Sequence, residues 1–319
     1  MFLDLLLIVV GVALVLKGAD FLTKGGADLA RRMNVSELVV GLTIVAAGTS
    51  APELFVSLVS ALKGTPDLAV GNVVGSNIMN TLFIVGITAM VAPMAIAPQT
   101  VKKDMPFTVM AAVLLMLVSL DTFQSLSLAG HVIGRLDGLL LLLGFAAFMT
   151  YTFRIAKGQE VETTEPAVKP LSVYKCLLLM VLGLLMLVLG SELFVRYASA
   201  LAATLGVSES VIGLTIVAGG TSLPELATSV VAARKGQSAM AIGNVIGSNV
   251  FNILLILGLT SVVCPMQIGG ITMIDMSMMV ASVLLLWLFS YTKLTVARWE
   301  GAVLTTAYLA YLGWLLYNV

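Results

Sequence analysis

Two stretches, "GTSAPELFVS" from Gly48 to Ser57 and "GTSLPELATS" from Gly220 to Ser229, set a glycine, a proline and a carboxylate inside long apolar runs. Each of these residues is costly in a membrane helix, so their appearance twice in the same order demands a reason. The surrounding chain establishes that a membrane is the setting. Of 319 residues, 59% are hydrophobic and only 11% charged, a balance outside the range of water-soluble domains. Apolar stretches long enough to cross a hydrocarbon core of roughly 30 Å recur along the whole length. Ten spans are expected, near 3–24, 37–62, 68–92, 106–122, 131–154, 173–196, 209–233, 239–263, 272–291 and 299–317. The first lacks a basic leader and a small-residue cleavage pattern, so it reads as a retained helix.

The halves of the chain match each other. Positions 41–86 align with 213–258 without a gap, Gly41 facing Gly213, and about 28 of 46 residues are identical. Upstream, Gly18 faces Gly190. Only "AKGQEVETTEPAVKPLS", Ala156 to Ser172, interrupts the apolar pattern for long. It divides a five-helix repeat at 1–155 from a second at 173–319, with 156–172 as a cytoplasmic linker. Because five is odd, the second copy enters the membrane from the opposite side. The fold class is therefore an all-α membrane protein built from two inverted five-helix repeats, an architecture that lets one site face either side of the membrane.

Charge placement orients the chain. With both termini outside, Arg31, Arg32, Lys102, Lys103, Arg154, Lys157, Lys169, Lys175, Arg234, Lys235, Lys293 and Arg298 fall on the cytoplasmic side, leaving Lys63, Arg135 and Arg196 opposite. A formal net charge of zero, without a basic cluster, excludes nucleic acid as a partner. Cys176 and Cys264 are isolated, indicating neither a disulfide framework nor a metal cluster, and His131 reads as an interfacial residue at a helix start.

Pro52 and Pro224 lack an N–H, which releases the carbonyls of Gly48 and Gly220 and lets those of Ala47 and Ala218 turn inward if the helix unwinds. Thr49, Ser50 and Glu53 add hydroxyl and carboxylate oxygens, Thr49 and Glu53 being one helical turn apart. Thr221, Ser222 and Glu225 repeat the set. In the following spans, "GNVVGSNIMN" (71–80) and "GNVIGSNVFN" (243–252) carry Ser76 with Asn80 and Ser248 with Asn252. Their G-x-x-x-G glycines serve either close packing or approach to a ligand. The pooled ligands are all oxygens, suited to hard cations, with Ca²⁺ and Na⁺ the natural candidates.

These motif pairs resemble the alpha-repeat signature of the sodium/calcium exchanger family. The resemblance implies alternating access around a central four-helix site, with one Ca²⁺ moved against several Na⁺ and no covalently bound cofactor. By motif match, Glu53, Glu225, Thr49 and Thr221 would hold Ca²⁺. Ser76, Ser248 and the carbonyls of Ala47 and Ala218 would complete Na⁺ sites, with Asn80 and Asn252 lining the middle. Some relatives carry Asp at the position of Asn252 or in place of one glutamate; here the residues are Asn252 and two Glu.

Two ionised glutamates balance one Ca²⁺, so exchange against three Na⁺ would move charge and extrude Ca²⁺ from a cell with a negative interior. Protons or K⁺ remain alternative counter-ions, since two carboxylates in a shared apolar site can also take up protons. The first and sixth spans, outside the motif bundle, are expected to slide over the core, with Asp20, Lys24, Glu192 and Arg196 near the outer water interface. A passive channel and a membrane enzyme rank below an antiporter: an open pore has no need of inverted repeats, and no catalytic motif accompanies the acids. The compact chain reads as a monomer in the lipid bilayer of a prokaryotic inner membrane.

Overall fold

The computed structural model describes residues 2–120, 131–158, 171–207 and 209–317. In chain order the helices are α1 (Phe2–Met33), α2a (Glu37–Thr49), α2b (Ala51–Leu62), α3 (Pro66–Val91), α4 (residues 100–119) and α5 (Arg135–Gly158). They continue with α6 (Val173–Thr204), α7a (residues 209–221), α7b (Leu223–Arg234), α8 (Ser238–Val263), α9 (Met273–Lys293) and α10 (Arg298–Tyr317). Among the described residues, six helices are long and apolar enough to cross a membrane, and eight spans result when α2a–α2b and α7a–α7b each count as one. Of the ten expected spans, those at 106–122 and 299–317 correspond to α4 and α10, which are helical but fall short of that test.

Burial sorts the helices into layers. The apolar windows of α3 and α8 are 78% and 83% buried, against 28% for both α1 and α6, so the two motif helices form the centre and the two longest helices the flank. The repeats interlock. On α3, a Cβ at Gly86 would lie 2.8 Å from the Gly301 carbonyl of α10, and on α8 the Gly258 backbone approaches Gly138 of α5 as closely. Each repeat thus packs its central helix against the other repeat's last-in-order helix, and the division at 156–172 is one of sequence and not of packing.

Two short antiparallel ribbons mark the ends of the bundle. β1 (Met94–Ala95) pairs with β4 (Thr295–Val296), and β2 (His131–Ile133) pairs with β3 (Met266–Ile268). Their partners are the loops that an odd–even alternation of crossings places on the same side, so each ribbon labels one face. His131 therefore lies in a strand opposite Ile268, and the helix expected at 131 begins at Arg135. Asp137 accepts a hydrogen bond from the Gly134 amide at 2.8 Å at the start of the helix. Most of the linker lies outside the described residues, and α5 extends into it as far as Gly158.

α1 and α6 run antiparallel in close contact. A Cβ at Gly11 would meet the Gly190 carbonyl at 2.9 Å, and one at Gly18 would meet the Gly183 carbonyl at 2.7 Å. This geometry corrects the placement of four charged residues. Asp20 and Lys24 lie beyond Gly18 toward the β1–β4 face, where Lys235 bonds Asp20 Oδ1 at 2.7 Å, whereas Glu192 and Arg196 lie beyond Gly190 toward the β2–β3 face. They occupy opposite ends of the pair, because antiparallel helices carry equivalent positions to opposite ends.

Candidate functional site

Each GTS-x-PE motif breaks its helix at one residue. Ser50 (φ −84°, ψ 6°) and Ser222 (φ −92°, ψ 8°) leave the helical region, and Pro52 and Pro224 restart the helix in its first turn, where a missing N–H has no cost. The bends are 44° at Ser50 and 57° at Ser222. Glu53 and Glu225 stand in the first turns of α2b and α7b, and both are fully buried. At each break the carbonyl end of one half-helix meets the amide end of the next, a polar junction of the kind that transporters use to hold ions.

The serines at the breaks reach across the repeats. Ser50 Oγ donates to Glu225 Oε1 at 3.0 Å, and Ser222 Oγ donates to Glu53 Oε1 at 3.2 Å. Ser248 Oγ also donates to Glu225 Oε1 at 3.4 Å, and Ser222 lies 3.3 Å from Ser76 Oγ. Thr49, expected to share a face with Glu53, instead bonds Asn244 Oδ1 at 3.1 Å and sits 3.4 Å from Ser248. The break between residues 49 and 53 turns them apart, so Thr49 and Ser50 belong with Glu225.

The second oxygen of each carboxylate, Oε2 of Glu53 and Oε2 of Glu225, is buried without a hydrogen-bond partner, as is Asn80 Oδ1. Asn252 is buried with both amide atoms unpartnered. Among the described residues neither glutamate has a Lys, Arg or His partner. Two uncompensated carboxylates in a dry interior are strongly unfavourable, and a bound cation would satisfy oxygens left without a donor.

Of the residues singled out by sequence, Thr49, Ser50 and Ser248 gather by hydrogen bonds around Glu225, and Ser222 with Ser76 around Glu53, so each glutamate carries a group drawn from both repeats. Thr221 joins neither group: its hydroxyl donates to the Ala218 carbonyl of its own helix at 3.1 Å. Ala47 needs correction. It is exposed, and the residue equivalent to Ala218 is the buried Ala46, whose carbonyl accepts from Thr49 Oγ1 at 3.3 Å and from the Ser50 amide at 3.0 Å.

Sequence reasoning passed over Asn72, Asn244 and Asn249. Asn72 Nδ2 donates to Ser57 Oγ and the Glu53 carbonyl, Asn244 Nδ2 donates to Ser229 Oγ and the Glu225 carbonyl, and Asn249 Oδ1 accepts from Asn80 Nδ2. All three stand in the repeated motif, and Ser57 and Ser229 repeat at the same spacing. Their recurrence was the available signal.

Packing around the two glutamates differs between the faces. Toward the β1–β4 face, α2a packs on α8: a Cβ at Gly243 would meet the Leu38 carbonyl at 2.8 Å, and one at Gly247 the Leu42 carbonyl at 2.8 Å. Toward the β2–β3 face the equivalent contacts between α7a and α3 are missing. A Cβ at Gly71 meets only Ile271, at 3.5 Å, and one at Gly75 meets nothing within 4 Å. Val45 of α2a is 0% exposed, and its counterpart Val217 of α7a is 44% exposed.

The sequence profile of the family described as "Sodium/calcium exchanger protein" matches residues 3–154 and again 175–317, one match for each repeat. The chain belongs to the sodium/calcium exchanger family. It is 40% identical over 314 residues to "Putative antiporter CaxA" of Alkalimonas amylolytica, covering 95% of this chain and 96% of that protein. It is 34% identical to "Sodium/calcium exchanger MaX1" of Methanosarcina acetivorans, covering 98% and 99%. Among solved structures it resembles the sodium-calcium exchanger NCX_Mj soaked with Na⁺ and Sr²⁺, with a TM-score of 0.83, 30% identity and 98% of each chain covered. The protein is thus a multi-pass membrane antiporter of the cation/calcium class, in a family of transporters and not of enzymes.

Proposed function

We propose that the chain exchanges Na⁺ for Ca²⁺ by alternating access at the cluster around Glu53 and Glu225. The observation that carries this reading is the cross-bonding of each buried glutamate by the serine at the other repeat's helix break, with one carboxylate oxygen of each left free. Ca²⁺ would take the two carboxylates with the hydroxyl or carbonyl oxygens of Thr49 and Thr221. Na⁺ would use Ser50, Ser76, Ser222, Ser248 and the carbonyls of Ala46 and Ala218, with Asn80 and Asn252 between them. The motif match named Ala47; the repeat geometry replaces it with Ala46.

The two faces supply the mechanism. A site packed tightly under α2a and loosely under α7a would open to one side at a time, and inverted repeats allow the roles to exchange. In a cell membrane with both termini outside, the β2–β3 face is the outer one, and an inward Na⁺ gradient drives Ca²⁺ out. Two negative charges balance Ca²⁺, and a third Na⁺ adds a net charge worth about 2.3 kcal/mol per 100 mV.

The test is ⁴⁵Ca²⁺ uptake into proteoliposomes loaded with Na⁺, K⁺ or a proton gradient, for the native chain and for Glu53→Gln and Glu225→Gln. Uptake that requires internal Na⁺ and disappears in both variants is the expected result. Uptake driven by protons or K⁺ alone replaces the counter-ion, and uptake indifferent to every counter-ion overturns exchange.

A further inference from the structure

We infer that Asn72 and Asn244 are positioning residues that form an alternating lock, each holding a glutamate backbone and each closing one face by accepting a hydrogen bond from the other repeat's threonine. The inference rests on the alternating-access reading and deepens it. Both asparagines make the same brace: Nδ2 of Asn244 donates to the Glu225 carbonyl at 3.3 Å and to Ser229 Oγ at 3.0 Å, and Nδ2 of Asn72 donates to the Glu53 carbonyl at 3.4 Å and to Ser57 Oγ at 3.0 Å. With its N–H groups committed to this brace, each amide turns its oxygen away from the glutamate and toward the neighbouring half-helix.

Only one of those oxygens is engaged in the lock. Asn244 is fully buried and its Oδ1 accepts from Thr49 Oγ1 of α2a, on the face where Gly243 and Gly247 are packed tight. Asn72 is half-buried on the face where Gly75 meets open space, and Thr221 Oγ1 of α7a donates to its own Ala218 carbonyl. Thr49 and Thr221, like Asn244 and Asn72, are equivalent under the repeat. When α7a closes on α3, Thr221 transfers its hydrogen bond from Ala218 to Asn72 Oδ1; when α2a opens, Thr49 gives up Asn244 and retains the Ala46 carbonyl it already touches at 3.3 Å. A donor therefore always has an acceptor, and a single buried hydrogen bond on each side biases which face is shut.

The experiment measures both gates directly, without relying on transport. Spin-label pairs placed at Leu68 and Val217, and separately at Ile44 and Ser238, report the α3–α7a and α2a–α8 gaps in purified full-length protein. Asn244→Ala removes the present lock and shifts the population toward the β1–β4-open form, and Asn72→Ala shifts it the other way, each by about fivefold, the weight of one buried hydrogen bond. Ser57→Ala and Ser229→Ala loosen the brace but keep the lock, and no shift is expected from them. Thr49→Val carries the Asn244→Ala prediction if that variant does not fold.

Shifts in the same direction from both asparagine variants, no shift from either, or equal shifts from the serine variants would overturn the lock. ⁴⁵Ca²⁺ uptake by the parent chain is measured in parallel. Its absence would count against the exchange reading, whereas the label distances judge the lock on their own.

Discussion

α2a and α7a are nearly the same sequence in two different situations. "GLTIVAAGTS" and "GLTIVAGGTS" differ at one position in ten, both carry a π-helical turn over their first five residues, and both end at a serine with almost the same backbone angles. Yet α2a is wedged against α8 with Val45 buried, and α7a leaves Val217 exposed and packs principally on α6. Sequence therefore does not choose which half is closed. Two copies of one broken helix are held in different packing, and the difference of bend, 44° against 57°, lies at Ser50 and Ser222, each bonded to the other repeat's buried glutamate.

The largest expected effect falls on what the two halves share. Glu53→Gln and Glu225→Gln should weaken Ca²⁺ binding by on the order of a hundredfold or more, since removing one partner of a buried charged group costs about 3 kcal/mol or above. Titration calorimetry of the purified variants checks this. Equal losses from both positions fit a single shared site, whereas a loss confined to one would separate the halves into independent sites.

The next effect separates the halves. Gly247→Ala puts a methyl group 2.6 Å from Ala46 Cβ and 2.8 Å from the Leu42 carbonyl, and should destabilise the present arrangement by about 1–3 kcal/mol. Gly75→Ala meets nothing here, so it should leave thermal stability unchanged while slowing turnover, because α7a must reach that glycine to close. Melting curves and exchange rates measured on the same preparations distinguish the two. Similar destabilisation by both substitutions would show that α3 and α8 are not in opposite states.

The smallest effect concerns the flank. Lys235 reaches Asp20 Oδ1 at 2.7 Å and Thr23 Oγ1 at 2.9 Å, tying α1 to the closed face, while its repeat equivalents Lys63 and Glu192 make no ion pair among the described residues. The Asp20 and Lys235 side chains are partly exposed, so Lys235→Ala should change the open-to-closed ratio by about fivefold at most. Lys63→Ala should change the rate of closing and not the resting state. Stopped-flow exchange against equilibrium label distances would resolve these two contributions.

Much of this was legible in the residues. The inverted repeat and the helix breaks beside the prolines follow from two motifs and the parity of the helices between them. What escaped has physical causes. The cross-repeat pairing of Ser50 with Glu225 and Ser222 with Glu53 depends on how the two breaks face each other, which spacing along one helix does not contain. Ala47 was paired with Ala218 although the repeat alignment itself sets Ala46 opposite Ala218 and Ala47 opposite Gly219, so that signal was in the sequence. Asn72 and Asn244 were hidden among glycines whose packing role seemed sufficient, and Gly71 and Gly75 are unpacked while Gly243 and Gly247 are packed, a contrast no shared sequence could reveal.

The central claim is that the two gates open in turn around one site. After serine replaces Cys176 and Cys264, single cysteines at Val45 and at Val217 can be exposed to a membrane-impermeant thiol reagent in sealed vesicles under opposite Na⁺ and Ca²⁺ gradients. Val217→Cys should react and Val45→Cys should be protected in the state described, and reversing the gradients should move the two rates in opposite directions. Rates that rise and fall together would mean a continuous pore, and the account of an exchanger would be wrong.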